Sequence, residues 1–339
     1  MSRSRWLSLA MAAGLVMSQA AGCRLVRLTG SNVALLFRAP DPPPAHAQAV
    51  TAAGTRIAAT WIGQATVLVQ LDDKFILTDP IFTEYAGSVT RRLVAPGLTV
   101  DQLPPLAAVL VSHRHVDHLS PDSLKAIGPR AAEVIVPPGT ATDVPAGPYR
   151  VRELARWETE EVDGLRVTAV PVEHNGGRIL DRATHPLSFT GYVVEYHGLT
   201  VYFAGDTAFA PDDFKAAAER FPSIDLALLP IGPIAPVRTT HPNHMNPAEA
   251  LEAAHLLGAA AMLPIHHDTF VHSYDAPGDC LAALDRALAQ GSPYPAERVR
   301  VLRVGEQQPF APASPLGAGA QARSLSSGQG VGSGATVSP

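Results

Sequence analysis

Cysteine is scarce. Only Cys23 and Cys280 occur in 339 residues, so at most one bridge can form, and both a disulfide-stapled scaffold and a cysteine-based zinc site are excluded. Charge is also thin: charged residues make up 17% of the chain, and 26 Lys and Arg against 31 Asp and Glu leave a formal net charge of -5. That balance gives no broad electrostatic grip on nucleic acid or on an anionic membrane. The N-terminal apolar run, Trp6 to Met17, is shorter than the ~20 residues a membrane span needs. A GxSxG elbow and a Walker loop are both missing, which removes the signatures of a serine hydrolase and a P-loop nucleotidase. What is present is a 46% hydrophobic chain, enough for a packed core, with 31 prolines and 13 histidines.

The two ends read as accessories. Arg3 and Arg5 precede the apolar run, and Ser18-Gln19-Ala20-Ala21-Gly22-Cys23 follows it, the three-part plan of a secretory signal. Residues 1–23 are therefore expected to direct export, to the periplasm or to the membrane of a bacterium as a lipoprotein. Ala21-Gly22-Cys23 matches the end of a lipoprotein signal, which would lipidate Cys23 and attach the chain to the membrane. Ala20 departs from the larger aliphatic residue usual there, so plain cleavage with Cys23 a free thiol competes. Residues 24–50, ending near Pro40-Asp41-Pro42-Pro43-Pro44, read as an extended spacer. Residues 311–339 are mostly Ala, Gly, Ser and Pro and cannot offset their ordering entropy, so a disordered tail is expected. One α/β domain fills residues 51–310.

Within it, short apolar runs predict strands at Thr66 to Leu71, Lys74 to Thr78, Ala107 to Ser112, Val134 to Pro137, Leu165 to Val172, Gly191 to Tyr196, Leu199 to Ala204, Leu226 to Pro230 and Ala261 to Ile265. Helices are predicted at Pro121 to Ile127, Pro211 to Arg220, Pro247 to Leu257 and Ala276 to Ala289, three of them opened by a proline suited to a first turn. Four strand ends carry ligand-type side chains: His113-Arg114-His115-Val116-Asp117-His118, Glu173-His174, Gly205-Asp206 and His266-His267. If those ends share one rim, their side chains meet at one site.

His113 and His115 are two apart, so an extended segment sends both imidazoles to one side. Asp117 and His118 follow, and four donors in six residues crowd a single ion, so two neighbouring ions are the natural reading. His113, His115 and His174 would serve the first, Asp117, His118 and His266 the second, with Asp206 bridging. Such a pair generates a bridging hydroxide at neutral pH. The chemistry expected is hydrolysis, with Asp117 orienting the nucleophile. Zinc is the expected metal, with manganese or iron suited to the same donors.

His113-x-His115-x-Asp117-His118 resembles the signature of the metallo-β-lactamase superfamily, and Asp79, His174, Asp206 and His266 match the rest of its pattern. Trp61-Ile62-Gly63-Gln64-Ala65-Thr66, Leu77-Thr78-Asp79-Pro80-Ile81-Phe82, Phe203-Ala204-Gly205-Asp206-Thr207, Leu229-Pro230-Ile231-Gly232 and His244-Met245-Asn246-Pro247-Ala248-Glu249-Ala250 resemble most specifically the N-acylphosphatidylethanolamine-hydrolysing phospholipase D family and its bacterial relatives. The resemblance implies a four-layer αββα sandwich and a two-zinc site. It makes Asp79 a carboxylate that fixes a ligating imidazole, prefers His266 over His267 as ligand, and gives His244 a contact to substrate phosphate. A phosphodiesterase acting on a phospholipid or small phosphodiester follows, with no nucleic-acid partner. A lactonase or acyl-ester hydrolase is the alternative, and a non-catalytic metal-binding protein the third. The family's aromatic residue after the third histidine is replaced here by Asn175-Gly176-Gly177-Arg178, which puts an acyl-chain pocket in question. His46, His185, His197, His241, His255 and His272 read as surface or structurally satisfied histidines.

Overall fold

The structure, a computed structural model, describes residues 35, 38–46, 52, 54–87, 90–176 and 188–313. The signal and lipidation expectations, most of the tail, and the stretch after Gly176 where the acyl-pocket question arose lie outside them.

Alternation of side chains along the first strands builds two faces at once. In β1 (Ile57–Gly63) and β2 (Thr66–Leu71), Ile57, Ala59, Trp61, Val67 and Val69 enter one core while Ile62 and Leu68 enter another, the period of two that a pleated strand imposes. β3 (Lys74–Thr78) follows, then a separate ribbon of β4 (Tyr85–Ala86) and β5 (Thr90–Arg91), then β6 (Ala108–Leu110), β7 (Glu133–Val136) and β8 (Arg150–Glu153). A second sheet holds β9 (Thr159–Val162), β10 (Leu165–Val170), β11 (Gly191–Tyr196), β12 (Leu199–Phe203), β13 (Leu226–Pro230) and β14 (Ala261–Ile265), after which β15 (Gln307–Phe310) returns to the first. Strand orders are β15-β1-β2-β3-β6-β7-β8 and β14-β13-β12-β11-β10-β9.

The sheets face each other across a core in which Val67, Val69, Ile76 and Leu110 meet Val167, Tyr192, Val201, Phe203 and Leu263. Helix α1 (Pro121–Ile127) covers the outer face of the first sheet through Leu124 and Ile127. On the second sheet's outer face lie α2 (Pro211–Arg220) and, after the short α3 (Val237–Thr240), α4 (Pro247–Leu256) and α5 (Asp279–Ala289), which bury Phe214, Leu251 and Leu284 against Tyr202, Leu229 and Met262. The result is the αββα sandwich. Proline opens α1, α2 and α4, and Asn246 closes a capping box with Glu249 at the start of α4, satisfying backbone N–H groups that a helix start leaves unpaired.

Strand direction places the site. β3 and β6 are parallel, as are β12, β13 and β14. β10 runs with β12 because both are antiparallel to β11. The carboxyl ends that lead into Asp79, His113, His174, Asp206 and His266 therefore lie along one rim, where open α/β sheets hold their ligands.

Part of the stretch expected as a spacer is attached to the domain. Asp41 N donates to Leu93 O, Ala95 N to Asp41 O and Ala45 N to Val304 O, so residues 41–45 supply partners to backbone groups at the domain's edge. Among the described residues no helix is long and apolar enough to cross a membrane.

Candidate metal centre

Asp79 directly follows β3, in the left-handed region at φ 32°, and has no exposed surface. Its Oδ1 accepts from Ser112 N at 2.6 Å, and its Oδ2 accepts from Ser112 Oγ at 2.6 Å and lies 2.6 Å from His118 Nδ1. Ser112 Oγ also stands 2.9 Å from His113 Nδ1. Asp79 thus holds the inner nitrogen of His118 directly and that of His113 through the Ser112 hydroxyl, leaving both Nε2 atoms to face the rim. Burial pushes the Asp79 carboxyl up, even against the pull of His118.

Two donor groups form beyond it. His113 Nε2 is 2.8 Å from His115 Nδ1, and His174 Nε2 is 3.3 Å from the same atom. The outer nitrogen of His174, Nδ1, lies 2.8 Å from Asn243 O, a backbone contact that fixes the ring with Nε2 inward. In the second group Asp117 Oδ2 is 3.5 Å from His118 Nε2 and 3.4 Å from His266 Nε2, and the two imidazole nitrogens are 3.1 Å apart. Asp206 joins the groups: its Oδ2 lies 3.2 Å from His118 Nε2 and from His266 Nε2, 3.9 Å from His113 Nε2 and 4.0 Å from His174 Nε2. All seven residues expected as ligands are therefore brought together, and Asp79 stands behind them.

These spacings fit metal binding. Nitrogen and oxygen ligands of a tetrahedral ion, each about 2.0–2.2 Å from it, stand about 3.3–3.6 Å apart. His113, His115, His174 and Asp206 offer donor atoms within 4.8 Å of one another, as do Asp117, His118 and His266. Asp79, His113 and His118 satisfy the same distance test, but both Asp79 oxygens are already engaged by Ser112 and His118. Asp206 Oδ1 is buried without a hydrogen-bond partner among the described residues, an arrangement that a cation would repair.

Electrostatics agree. Burial holds His113 and His174 well below the ordinary imidazole range, so both keep a free lone pair. Burial also opposes charge on His118 and His266, but the neighbouring carboxylates, Asp206 first, outweigh it, raising His118 well above that range and His266 to about 9. Burial pushes the Asp117 and Asp206 carboxyls up, and the imidazoles around them, His118 first, outweigh that and hold both well below the usual carboxylate range. The two carboxylates thus favour positive charge at His118 and His266, a charge that a divalent cation would supply instead.

The remaining histidines divide. His267 turns away: its ring lies 4.6 Å from that of Trp61, and its Nδ1 is 3.0 Å from Asp268 Oδ2. His244 does reach the centre, with Nδ1 3.6 Å from Asp206 Oδ2 and its ring 5.1 Å from His174; burial lowers it to about 4. His272, expected as a surface or structurally satisfied histidine, is exposed and sets its ring edge-on to His266 at 5.2 Å. Gln64 is likewise drawn in, its Nε2 lying 2.9 Å from both Asp117 Oδ2 and His266 Nε2. His272 stood only six residues past a predicted ligand, and Gln64 sat in a phrase already singled out; neither carried a ligand-type spacing.

Layer order and converging donors define the class, an αββα sandwich with a His and Asp cluster suited to divalent metal at the sheet ends. The family model of the beta-lactamase superfamily domain matches residues 74–267. An uncharacterized protein of Mycobacterium tuberculosis is 33% identical over 263 residues, covering 72% of this chain and 69% of that one. N-acyl-phosphatidylethanolamine-hydrolyzing phospholipase D 1 of Caenorhabditis elegans is 34% identical over 233 residues, covering 62% of this chain and 64% of the relative. A metal-dependent hydrolase of Pelotomaculum thermopropionicum is 27% identical, covering 73% and 97%. Among solved structures, the isothiocyanate hydrolase from Delia radicum gut bacteria superposes with a TM-score of 0.59 at 21% identity, covering 75% of this chain and 99% of its own, and shares the fold. The chain belongs to the metallo-β-lactamase superfamily, among its metal-dependent hydrolases.

Proposed function

We propose that this chain is a binuclear metallohydrolase of phosphodiesters, acting on a lipid or a small diester. The observation that carries the reading is the reach of Asp206, one oxygen of which lies within 4.0 Å of donor nitrogens from both groups. The likeness to a phospholipase D that hydrolyses N-acyl-phosphatidylethanolamine supports the diester bond as the target.

His113, His115 and His174 would hold one zinc ion, Asp117, His118 and His266 the other, with Asp206 shared; manganese or iron suits the same donors. Bound divalent ions supply Lewis acidity, lowering the pKa of water and neutralising a phosphoryl oxygen. The polypeptide does the rest. Asp117 stays ionised among its imidazoles and keeps 18% of its side chain exposed, so it can accept a hydrogen bond from the attacking water and orient it. His244 is neutral at pH 7, since burial holds it near 4, and serves as an N–H donor to a phosphoryl oxygen, not as a charged acid. Asp79 and Asn243 fix the rings of His118 and His174. A cleft of about 560 Å³ has Val116, which lies between His115 and Asp117 in sequence, with Tyr85, Leu119 and Pro121 in its wall, and would receive the apolar part of the substrate.

Metal-replete protein is to be assayed side by side against N-acylphosphatidylethanolamine in mixed micelles, an aryl phosphodiester, a lactone and an aryl ester. Turnover of either diester is expected. Diester inactivity with lactone or ester turnover would replace the phosphodiester reading by the carboxyl-centred one, and inactivity on all four would favour a metal-binding protein. The N-terminal signal belongs to the same proposal of an exported enzyme, and mass spectrometry of the mature N-terminus distinguishes a lipidated Cys23 from plain cleavage.

A further inference from the structure

Gln64 is held where a polar side chain has no ordinary reason to be. It follows Gly63 at the end of β1 in a left-handed turn, with φ 121° at Gly63 and 55° at Gln64, a conformation costly for a residue with a Cβ. Three hydrogen bonds clamp that turn. Trp61 Nε1 donates to Gln64 O at 2.9 Å, His266 N donates to the same oxygen at 3.0 Å, and Gln64 N donates to Thr269 Oγ1 at 2.7 Å. The loop that carries His266 therefore fixes Gln64 against itself.

The side chain, fully buried, ends among the donors of the second group. Its Nε2 is 2.9 Å from Asp117 Oδ2 and 2.9 Å from His266 Nε2, the two atoms that with His118 form that group. Among the described residues its Oε1 is buried without a partner. A carboxamide has the same shape with oxygen and nitrogen exchanged, and its neighbours decide which end faces them. As it stands the amide nitrogen donates to Asp117 Oδ2 and faces His266 Nε2. A cation held by Asp117 Oδ2 and His266 Nε2 reverses that preference, because it repels the N–H dipole and attracts the carbonyl oxygen. A half-turn of the amide would then place its Oε1 toward the ion.

We infer that Gln64 is a ligand of the second metal position through Oε1. The inference rests on the metal-binding reading above but not on the choice of substrate. It makes the two positions unlike: three imidazoles and a carboxylate in the first, against two imidazoles, two carboxylates and an amide oxygen in the second. The oxygen-rich position suits a harder ion such as Mn²⁺ better than the first does.

The test is calorimetric titration of the metal-stripped full chain with Zn²⁺ alone and with Mn²⁺ alone, for wild type, Gln64→Leu and Gln64→Glu. Leucine keeps the volume and the backbone cost but removes the oxygen; glutamate keeps the oxygen and adds charge. Gln64→Leu is expected to weaken the second equivalent tenfold or more while leaving the first within twofold, and Gln64→Glu to tighten the second selectively. A second equivalent unchanged or tightened in Gln64→Leu would overturn the inference, since the amide would then be only a filler. Should Gln64→Leu not fold, Gln64→Glu decides alone, and an unchanged or weakened second equivalent there overturns it. A wild-type chain taking up fewer than two equivalents would overturn the binuclear reading and this inference together, whereas wild-type binding of two with unaltered variants defeats the inference only.

Discussion

A Cβ placed on Gly205 would stand 2.3 Å from Cβ of Ser112. The glycine also lies at φ 61°, so the turn that delivers Asp206 depends on the missing side chain twice over. Ser112 is the residue whose N–H and hydroxyl engage Asp79, and any displacement of it passes to His113 and His118. Gly205→Ala is expected to cost about 2–4 kcal/mol from overpacking and left-handed strain. That corresponds to a fall in Tm of roughly 5–15 °C for a domain of this size, with impaired metal retention. Thermal unfolding with metal analysis checks it, and a Tm within a degree of wild type would contradict it.

Asp79→Asn tests the carboxylate behind the site. The amide can still accept from Ser112, but its NH2 end then faces His118 Nδ1. The ring escapes that clash by moving its proton to Nε2, which removes the lone pair needed by a metal. Metal affinity is expected to fall about 10–100-fold, the usual effect of removing such a partner, in a chain that still folds. Competition titration against a chelator reads it, and an unchanged affinity would show that Asp79 does not set the ring.

The elements carrying this network were the ones legible in sequence. β2, β3, β11, β13 and β14 are mainly apolar runs buried along most of their length, and the predicted bounds match those strands. Illegible were β8 and β9, where RVRE and TEEV are edge strands whose charges face water, and β15, whose Pro309 is tolerated only at an edge. β1 escaped because Ala58, Ala59 and Gly63 are weak strand formers that pairing with β2 and β15 overrides. The seven donors could be grouped from spacing and strand ends. Gln64 and His272 could not, because a lone amide and a rim histidine acquire meaning only from the loop that folds back beside them.

Glu133 gives a pH-dependent stability. It is 1% exposed on β7 and pairs with Arg150 and Arg152 of β8. Burial pushes its carboxyl up, but hydrogen bonds from Arg152 and Arg150 outweigh that and hold it below the usual range. A carboxylate with a lowered folded pKa contributes stability above its unfolded pKa of about 4.3, and that contribution is lost as pH falls through the folded value. The arginine side chains are 35% and 74% exposed, so solvent screening limits the contribution to about 1 kcal/mol. Glu133→Gln is expected to lower stability at pH 7 and to converge on wild type near pH 3. Urea unfolding of metal-stripped protein at both values checks this, and an equal deficit at the two would refute it.

His244 and His272 flank His266 on different loops, with rings 5.7 Å and 5.2 Å from it, yet only His244 approaches Asp206. A side chain that contacts substrate and not metal should change turnover without changing metal content. His244→Ala is expected to lower kcat/KM on a phosphodiester about 10–100-fold, the effect of losing one buried hydrogen bond to a charged oxygen. His272, exposed at the rim, loses solvent-screened contacts, so His272→Ala should raise KM a few-fold with kcat nearly unchanged. Both variants should retain wild-type metal stoichiometry. Loss of metal in His272→Ala would instead assign that ring to the support of His266, and an unaltered kcat/KM in His244→Ala would remove it from the reaction.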